Sequence, residues 1–81
     1  MERKPEIAVI GGGAWGTALA VVAARAGNQV RLWVREPEVV DSINSARENT
    51  AFLPGVTLDP SIAATGDLAS LGSPEAILLV A

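Results

Sequence analysis

The 81 residues are 49% hydrophobic and 19% charged, a balance too apolar for a disordered chain and sufficient for one small core. A net charge of -3 with six scattered Lys and Arg residues argues against nucleic acid as a partner, and the lack of Cys and His removes disulfides, thiolate metal sites and the commonest general base. No stretch reads as a membrane span, and the polar start from Met1 to Glu6, with Gly11 close behind, leaves no room for a secretory signal, so a cytoplasmic setting is expected.

Ile7 to Ile10 is a continuous apolar run ended by glycines, which predicts a short strand buried on both faces, as in a parallel sheet. From Trp15 to Ala26 the chain is dominated by Ala, with Leu19 and Val22 three apart, and it meets a left-handed stop signal at Gly27 and Asn28. A helix is predicted there. Val30, Leu32 and Val34 alternate with Arg31 and Trp33, predicting a second strand whose Trp33 packs between the sheet and a helix. Pro37 opens a second helix, striped by Val39, Val40 and Ile43 and running to roughly Asn44 to Glu48. Phe52, Leu53, Pro54 and Gly55 break it, and a loop is expected as far as Pro60.

Ser61 to Thr65 predicts a short strand, and Asp67 a cap for one helical turn over Leu68 to Leu71, stopped by Gly72 to Pro74. Ala76 to Ala81 is again aliphatic throughout and reads as another central parallel strand. A chain that stops in or at the end of such a strand suggests a longer natural product. Strands and helices alternate without an internal repeat, so right-handed crossovers onto one parallel sheet are expected, and the class is α/β.

Gly11, Gly13 and Gly16 have the spacing Gly-x-Gly-x-x-Gly, between a predicted strand and a predicted helix. In that context Gly11 permits a tight turn, Gly13 lets a pyrophosphate approach the backbone, and Gly16 lets the helix lie close to the strand. The phosphates face the free N–H groups and the positive dipole end of the helix, so no basic side chain is needed. A dinucleotide is the expected ligand.

The end of the second strand then meets the adenosine ribose, where an acidic residue suits NAD and an Arg suits the 2′-phosphate of NADP. Arg35 comes first, followed by Glu36. Arg35 can pair with a phosphate and stack on adenine, which favours NADP, the bland alternative being a solvated surface charge. Glu36 has two readings: a ribose ligand that permits NAD, or a favourable anion opening the helix at Pro37. On spacing alone, Trp15 is equally a cover for the cofactor and a packing residue at a helix start.

Ile7 to Ala20 reads IAVIGGGAWGTALA, Arg31 to Arg35 reads RLWVR, and Glu48 to Gly55 reads ENTAFLPG. Together these segments, over essentially the whole chain, resemble the bacterial NAD(P)-dependent glycerol-3-phosphate dehydrogenases. The tetrad Ala14-Trp15-Gly16-Thr17 and the element Phe52-Leu53-Pro54 carry more of the resemblance than the glycines do. It implies a doubly wound Rossmann domain, incomplete over residues 1–81, with the rest of the sheet and a carboxy-terminal substrate domain absent. It places Ala14, Trp15, Arg35, Glu36 and Phe52 at NAD(P)H.

The activity implied is reversible reduction of dihydroxyacetone phosphate to sn-glycerol 3-phosphate, supplying phospholipid synthesis, with a catalytic Lys that no segment here matches. Lys4, ahead of the first strand, is a solvated terminal residue. By itself the chain is expected to bind NADP or NAD without turnover, and assembly as a homo-oligomer is left open. Gly12 departs from the family's usual small residue without steric consequence, and Asp67 to Pro74 is shorter than the helix the family would have. Two other readings compete: a stand-alone dinucleotide-binding or redox-sensing module, and another Rossmann oxidoreductase sharing the glycine loop.

Overall fold

The computed structural model describes residues 4–11 and 13–80. Expectations for Met1 to Arg3, for Gly12 and for the end of the last strand at Ala81 lie outside them. Four parallel strands form one sheet: β1 (Glu6–Ile10), β2 (Gln29–Trp33), β3 (Ile62–Thr65) and β4 (Ala76–Leu79), in the spatial order β3-β2-β1-β4. Helix α1 (Ala14–Arg25) joins β1 to β2, and α2 (Pro37–Asp41), continued by a π-helical turn over Ser42–Ala46, leads towards β3. A 3-10 turn over Leu68–Leu71 precedes β4.

Register explains the core. Ile7 and Val9 of β1 pair with Val30 and Leu32 of β2, which pair in turn with Ile62 and Ala64 of β3. Paired residues in a parallel sheet share a face, and this face meets Ala20 and Ala23 of α1 and Val39 and Ile43 of the second helical segment in one buried cluster. Leu32, Ile43, Leu58 and Ile62 are fully buried, each stabilising by about 1.5 to 3 kcal/mol relative to exposure. The alanines of α1 explain its close seat, since small side chains let a helix lie near the strands. Asn28 closes its last turn by donating from Nδ2 to the Ala23 carbonyl at 2.9 Å.

Two expectations need correction. The second helix is not uniform: Ser42, Ile43, Asn44 and Ser45 are weak helix formers, and two of the polar side chains bond to backbone instead. Ser42 Oγ donates to the Glu48 carbonyl, and Asn44 donates to the Ala64 carbonyl at 2.9 Å while accepting from Ala64 N–H at 2.8 Å. The helix ends when Arg47 turns left-handed at φ 56°, its guanidinium donating to the carbonyls of Leu58, Asp59 and Ile62.

Among the described residues β4 lies at the margin of the sheet beside β1, with Ile77 and Leu79 exposed. Its apolar run reports that both faces suit an interior, a property that does not say which neighbours it has. Trp33 lies on the face away from α1, where its indole Nε1 donates to the Gly66 carbonyl at 3.1 Å, so it packs against the loop after β3 and not under a helix.

Before β3, Asp59 accepts the Ser61 N–H at 2.8 Å. That hydrogen bond first, then the charges of Lys4 and Arg47, lower its pKa below 3.8. A depressed carboxylate contributes stability that is present above the unfolded value and is lost as pH falls through the folded one. A carboxyl-detected NMR titration is expected to show Asp59 protonating below 3.8, with the β3 entry loosening only after it does; a midpoint above that value would contradict the hydrogen-bonded turn.

Candidate functional site

The strand order reverses between β1 and β4: the chain steps from β1 outward to β2 and β3, then returns to the other side of β1. In open α/β sheets such a reversal leaves a crevice at the carboxyl ends of the strands, because the flanking connections leave on opposite faces. Here the crevice is a depression of about 230 Å³ lined by Gly11, Gly13, Ala14, Trp15, Gly16 and Val80. Five of the predicted cofactor residues, Gly11, Gly13, Ala14, Trp15 and Gly16, therefore converge on one place, and Arg35, Glu36 and Phe52 are not in its lining.

Each glycine has a separate steric reason. Gly11 has φ 134°, a conformation that side chains disfavour, and a Cβ there would stand 2.7 Å from the Val80 carbonyl oxygen. Its N–H donates to the Trp33 carbonyl at 3.1 Å, fixing the end of β1 to the end of β2. A Cβ on Gly16 would fall 1.6 Å from the Gly11 carbonyl oxygen, so the first turn of α1 rests directly on the loop backbone. Gly13 is different: it is the N-cap of α1, and a Cβ there meets nothing within 4 Å. The space above Gly13 is open for a ligand, while that at Gly11 and Gly16 is filled by the protein itself.

Thr17 N–H is bonded back to the Gly13 carbonyl at 3.0 Å. The N–H groups of Ala14, Trp15 and Gly16 lie ahead of it in the first turn, where a helix has no acceptors of its own to offer. The first turn carries no acidic residue, so the dipole is not neutralised from within. These properties suit an anion such as a pyrophosphate. A larger hollow, about 330 Å³, lies beside Arg25 and Asp59 at the opposite end of α1, where the dipole is negative.

Trp15 is 76% exposed and lines the depression beside Gly13 and Gly16. Arg35 stands beyond the carboxyl end of β2 with its side chain 83% exposed, and its guanidinium is 3.9 Å from the Glu36 carboxylate. An exposed pair of this kind is worth about 0 to 1 kcal/mol, too little to hold Arg35 away from a phosphate. Glu36 is the N-cap of α2 but makes no side-chain capping bond, so its carboxylate is not consumed by the helix.

Phe52 sits on the loop after the second helical segment, half exposed. Two buried residues connect that loop to the glycines. Asn49 Nδ2 donates to Thr17 Oγ1 at 2.8 Å, and Thr17 Oγ1 donates to the Gly13 carbonyl at 2.9 Å. Asn49 Oδ1 accepts the Phe52 N–H at 3.1 Å, and its carbonyl accepts the Leu53 N–H at 2.9 Å. Sequence reasoning assigned no role to Thr17 or Asn49. The usable signal was an Asn three residues before Phe52, the spacing at which its side chain can bond a following backbone N–H.

Among the described residues, no group of three or more His, Cys, Asp or Glu side chains is placed to hold a metal ion, and no helix is long and apolar enough to cross a membrane.

The profile of the NAD-dependent glycerol-3-phosphate dehydrogenase N-terminus matches residues 6–81. Two curated relatives are glycerol-3-phosphate dehydrogenases [NAD(P)+]. That of Rhodospirillum rubrum is 63% identical over 75 residues, covering 91% of this chain and 22% of the relative, and that of Paramagnetospirillum magneticum is 59% identical over 75 residues, covering 93% and 27%. The crystal structure of glycerol-3-phosphate dehydrogenase from Coxiella burnetii superposes with a TM-score of 0.85 at 43% identity, covering 94% of this chain and 24% of that one. The chain thus spans about a quarter of the length of the relatives it matches.

Proposed function

Because the chain belongs to the NAD-dependent glycerol-3-phosphate dehydrogenase N-terminal family, we propose that it is the dinucleotide-binding part of an enzyme that reversibly reduces dihydroxyacetone phosphate to sn-glycerol 3-phosphate. The observation that carries this reading is the open backbone cradle at Gly13, set where the strand order reverses and faced by the start of α1. Gly11, Gly13 and Gly16 shape the cradle, and Ala14, Trp15 and Gly16 present their N–H groups to the pyrophosphate. Trp15 supplies exposed aromatic surface beside it, and Phe52 stands on the loop that Asn49 and Thr17 tie to Gly13. Arg35 receives the adenosine ribose end, with Glu36 next to it. When bound, NAD(P)H supplies the hydride.

In this reading residues 1–81 form the amino-terminal part of a single Rossmann domain, and they bind without turnover on their own. The chemistry and the substrate-phosphate site belong to other parts of the enzyme. The setting is cytoplasmic, the product feeds phospholipid synthesis, and assembly as a homo-oligomer remains part of the proposal for the whole enzyme.

NADPH is the favoured partner, because the guanidinium of Arg35 is free to make a charge-assisted pair with a 2′-phosphate. Such a bond is worth about 1.5 to 3 kcal/mol, so Arg35→Ala is expected to weaken NADPH roughly 10- to 100-fold. NADH should change far less. Titration calorimetry of both dinucleotides against the full gene product and the variant measures this, and an equal loss for both removes the 2′-phosphate role. The same preparation tests the function: oxidation of NADPH that depends on dihydroxyacetone phosphate is expected, whereas tight binding without it would favour a stand-alone sensing module.

A further inference from the structure

We infer that Asn49 is a positioning residue for the dinucleotide, holding the Phe52 loop and the glycine loop at one fixed separation. The inference rests on the binding function proposed above and assigns the part played by a side chain that the glycine motif does not include.

Asn49 and Thr17 are both fully buried, so neither side chain has solvent to bond with and each bond they make carries the weight of a desolvated polar group. The amide uses its two ends in opposite directions. Its Oδ1 accepts the N–H of Phe52, and its Nδ2 donates to the hydroxyl of Thr17, which in turn donates its O–H to the carbonyl of Gly13. Gly13 is the residue with open space above it, and Phe52 is the exposed aromatic of the neighbouring loop.

One amide therefore ties the backbone of the glycine loop at Gly13 to the backbone of the neighbouring loop at Phe52. Only Asn fits this task at its length. Asp cannot donate to Thr17, and it would bury a negative charge beside the phosphates; Leu matches the volume but bonds to neither partner. Thr17 needs a hydroxyl for the same reason, accepting on one side and donating on the other. Without the amide, α1 and the sheet would keep their apolar contacts through Ala20, Ala23, Val9 and Leu32, while the two loops would lose their common reference.

The test uses the full gene product, with NADPH and NADH as probes. Asn49→Ala is expected to raise the dissociation constant and the KM for NADPH roughly 10- to 100-fold, with kcat at saturating NADPH within about twofold of the parent. Thr17→Val should reproduce the loss and Thr17→Ser should restore affinity to within about threefold, because serine keeps the hydroxyl. In the double variant Asn49→Ala with Thr17→Val, the losses should fall well short of multiplying, as expected for groups acting in one chain of bonds.

A folded Asn49→Ala that binds NADPH as tightly as the parent overturns the inference, as does a variant whose kcat falls in step with its affinity and its melting temperature. Should Asn49→Ala not fold, the Thr17 pair decides: loss with Val and retention with Ser supports the positioning role, and equal affinity in both overturns it. A parent that binds neither dinucleotide takes down the binding function itself, and this inference with it, a result recognisable because it is seen before any substitution is made.

Discussion

Gly16→Ala is expected to leave no cooperatively folded chain. A methyl at this position would lie 1.6 Å from the Gly11 carbonyl oxygen and 2.6 Å from its carbonyl carbon. Both are backbone atoms, so no rotamer change relieves the overlap, and Gly11 is held in place by its N–H bond to the Trp33 carbonyl at the end of β2. Relief must come from lifting α1 off the sheet, which uncovers Ala20 and Ala23 and opens the centre of the only large cluster of buried side chains among the described residues. The cost is on the order of 4 kcal/mol or more, most of what a small domain has to lose. Circular dichroism with thermal melting checks it, and a melting temperature within a few degrees of the parent would show that the helix has room to move.

Gly13→Ala should separate binding from folding in the opposite way. Nothing lies within 4 Å of the added Cβ, and the backbone at φ -73° is one that alanine adopts freely. The change of N-cap costs under about 1 kcal/mol, so the melting temperature should move little. The methyl projects into the open space proposed for the pyrophosphate. Displacing the ligand from one or two charge-assisted hydrogen bonds, about 1.5 to 3 kcal/mol each, corresponds to a loss of roughly 100-fold or more for NADH and NADPH alike. That equality distinguishes it from Arg35→Ala. Retained affinity would mean the phosphates lie elsewhere, and the cradle would no longer account for binding.

Much of the architecture was legible because steric rules leave few options. The aliphatic runs at Ile7 and Ala76 announced parallel strands, the period of Val30 and Leu32 announced a face, and Gly11, Gly13 and Gly16 announced a strand-to-helix turn. What stayed hidden depended on partners far along the chain. Asn44 reads as a helix interior residue of modest propensity until Ala64 is beside it, and the helix widens there. Trp33 alternates like any strand residue, and only the loop at Gly66 decides which layer covers it. An apolar strand such as β4 looks the same at the centre of a sheet and at its margin.

The site divides along the same line. Residues proposed for contact with the dinucleotide, such as Trp15 and Arg35, stand out in the sequence because a large aromatic at a helix start and a cation after a strand are locally odd. Asn49 is locally ordinary, a turn former among turn formers. Its burial and its bond to Thr17, 32 positions earlier, exist only in the folded chain.

The amide of Asn44 has a consequence for how this sheet can grow. By taking both the N–H and the carbonyl that Ala64 would offer a neighbour, it does to β3 what another strand would do, and that margin is closed to further pairing. At β4 the outer margin has no such plug among the described residues. A segment that lengthens this sheet is therefore expected to enter next to Ile77 and Leu79, where nothing among the described residues has to be displaced, sooner than beside Ala64.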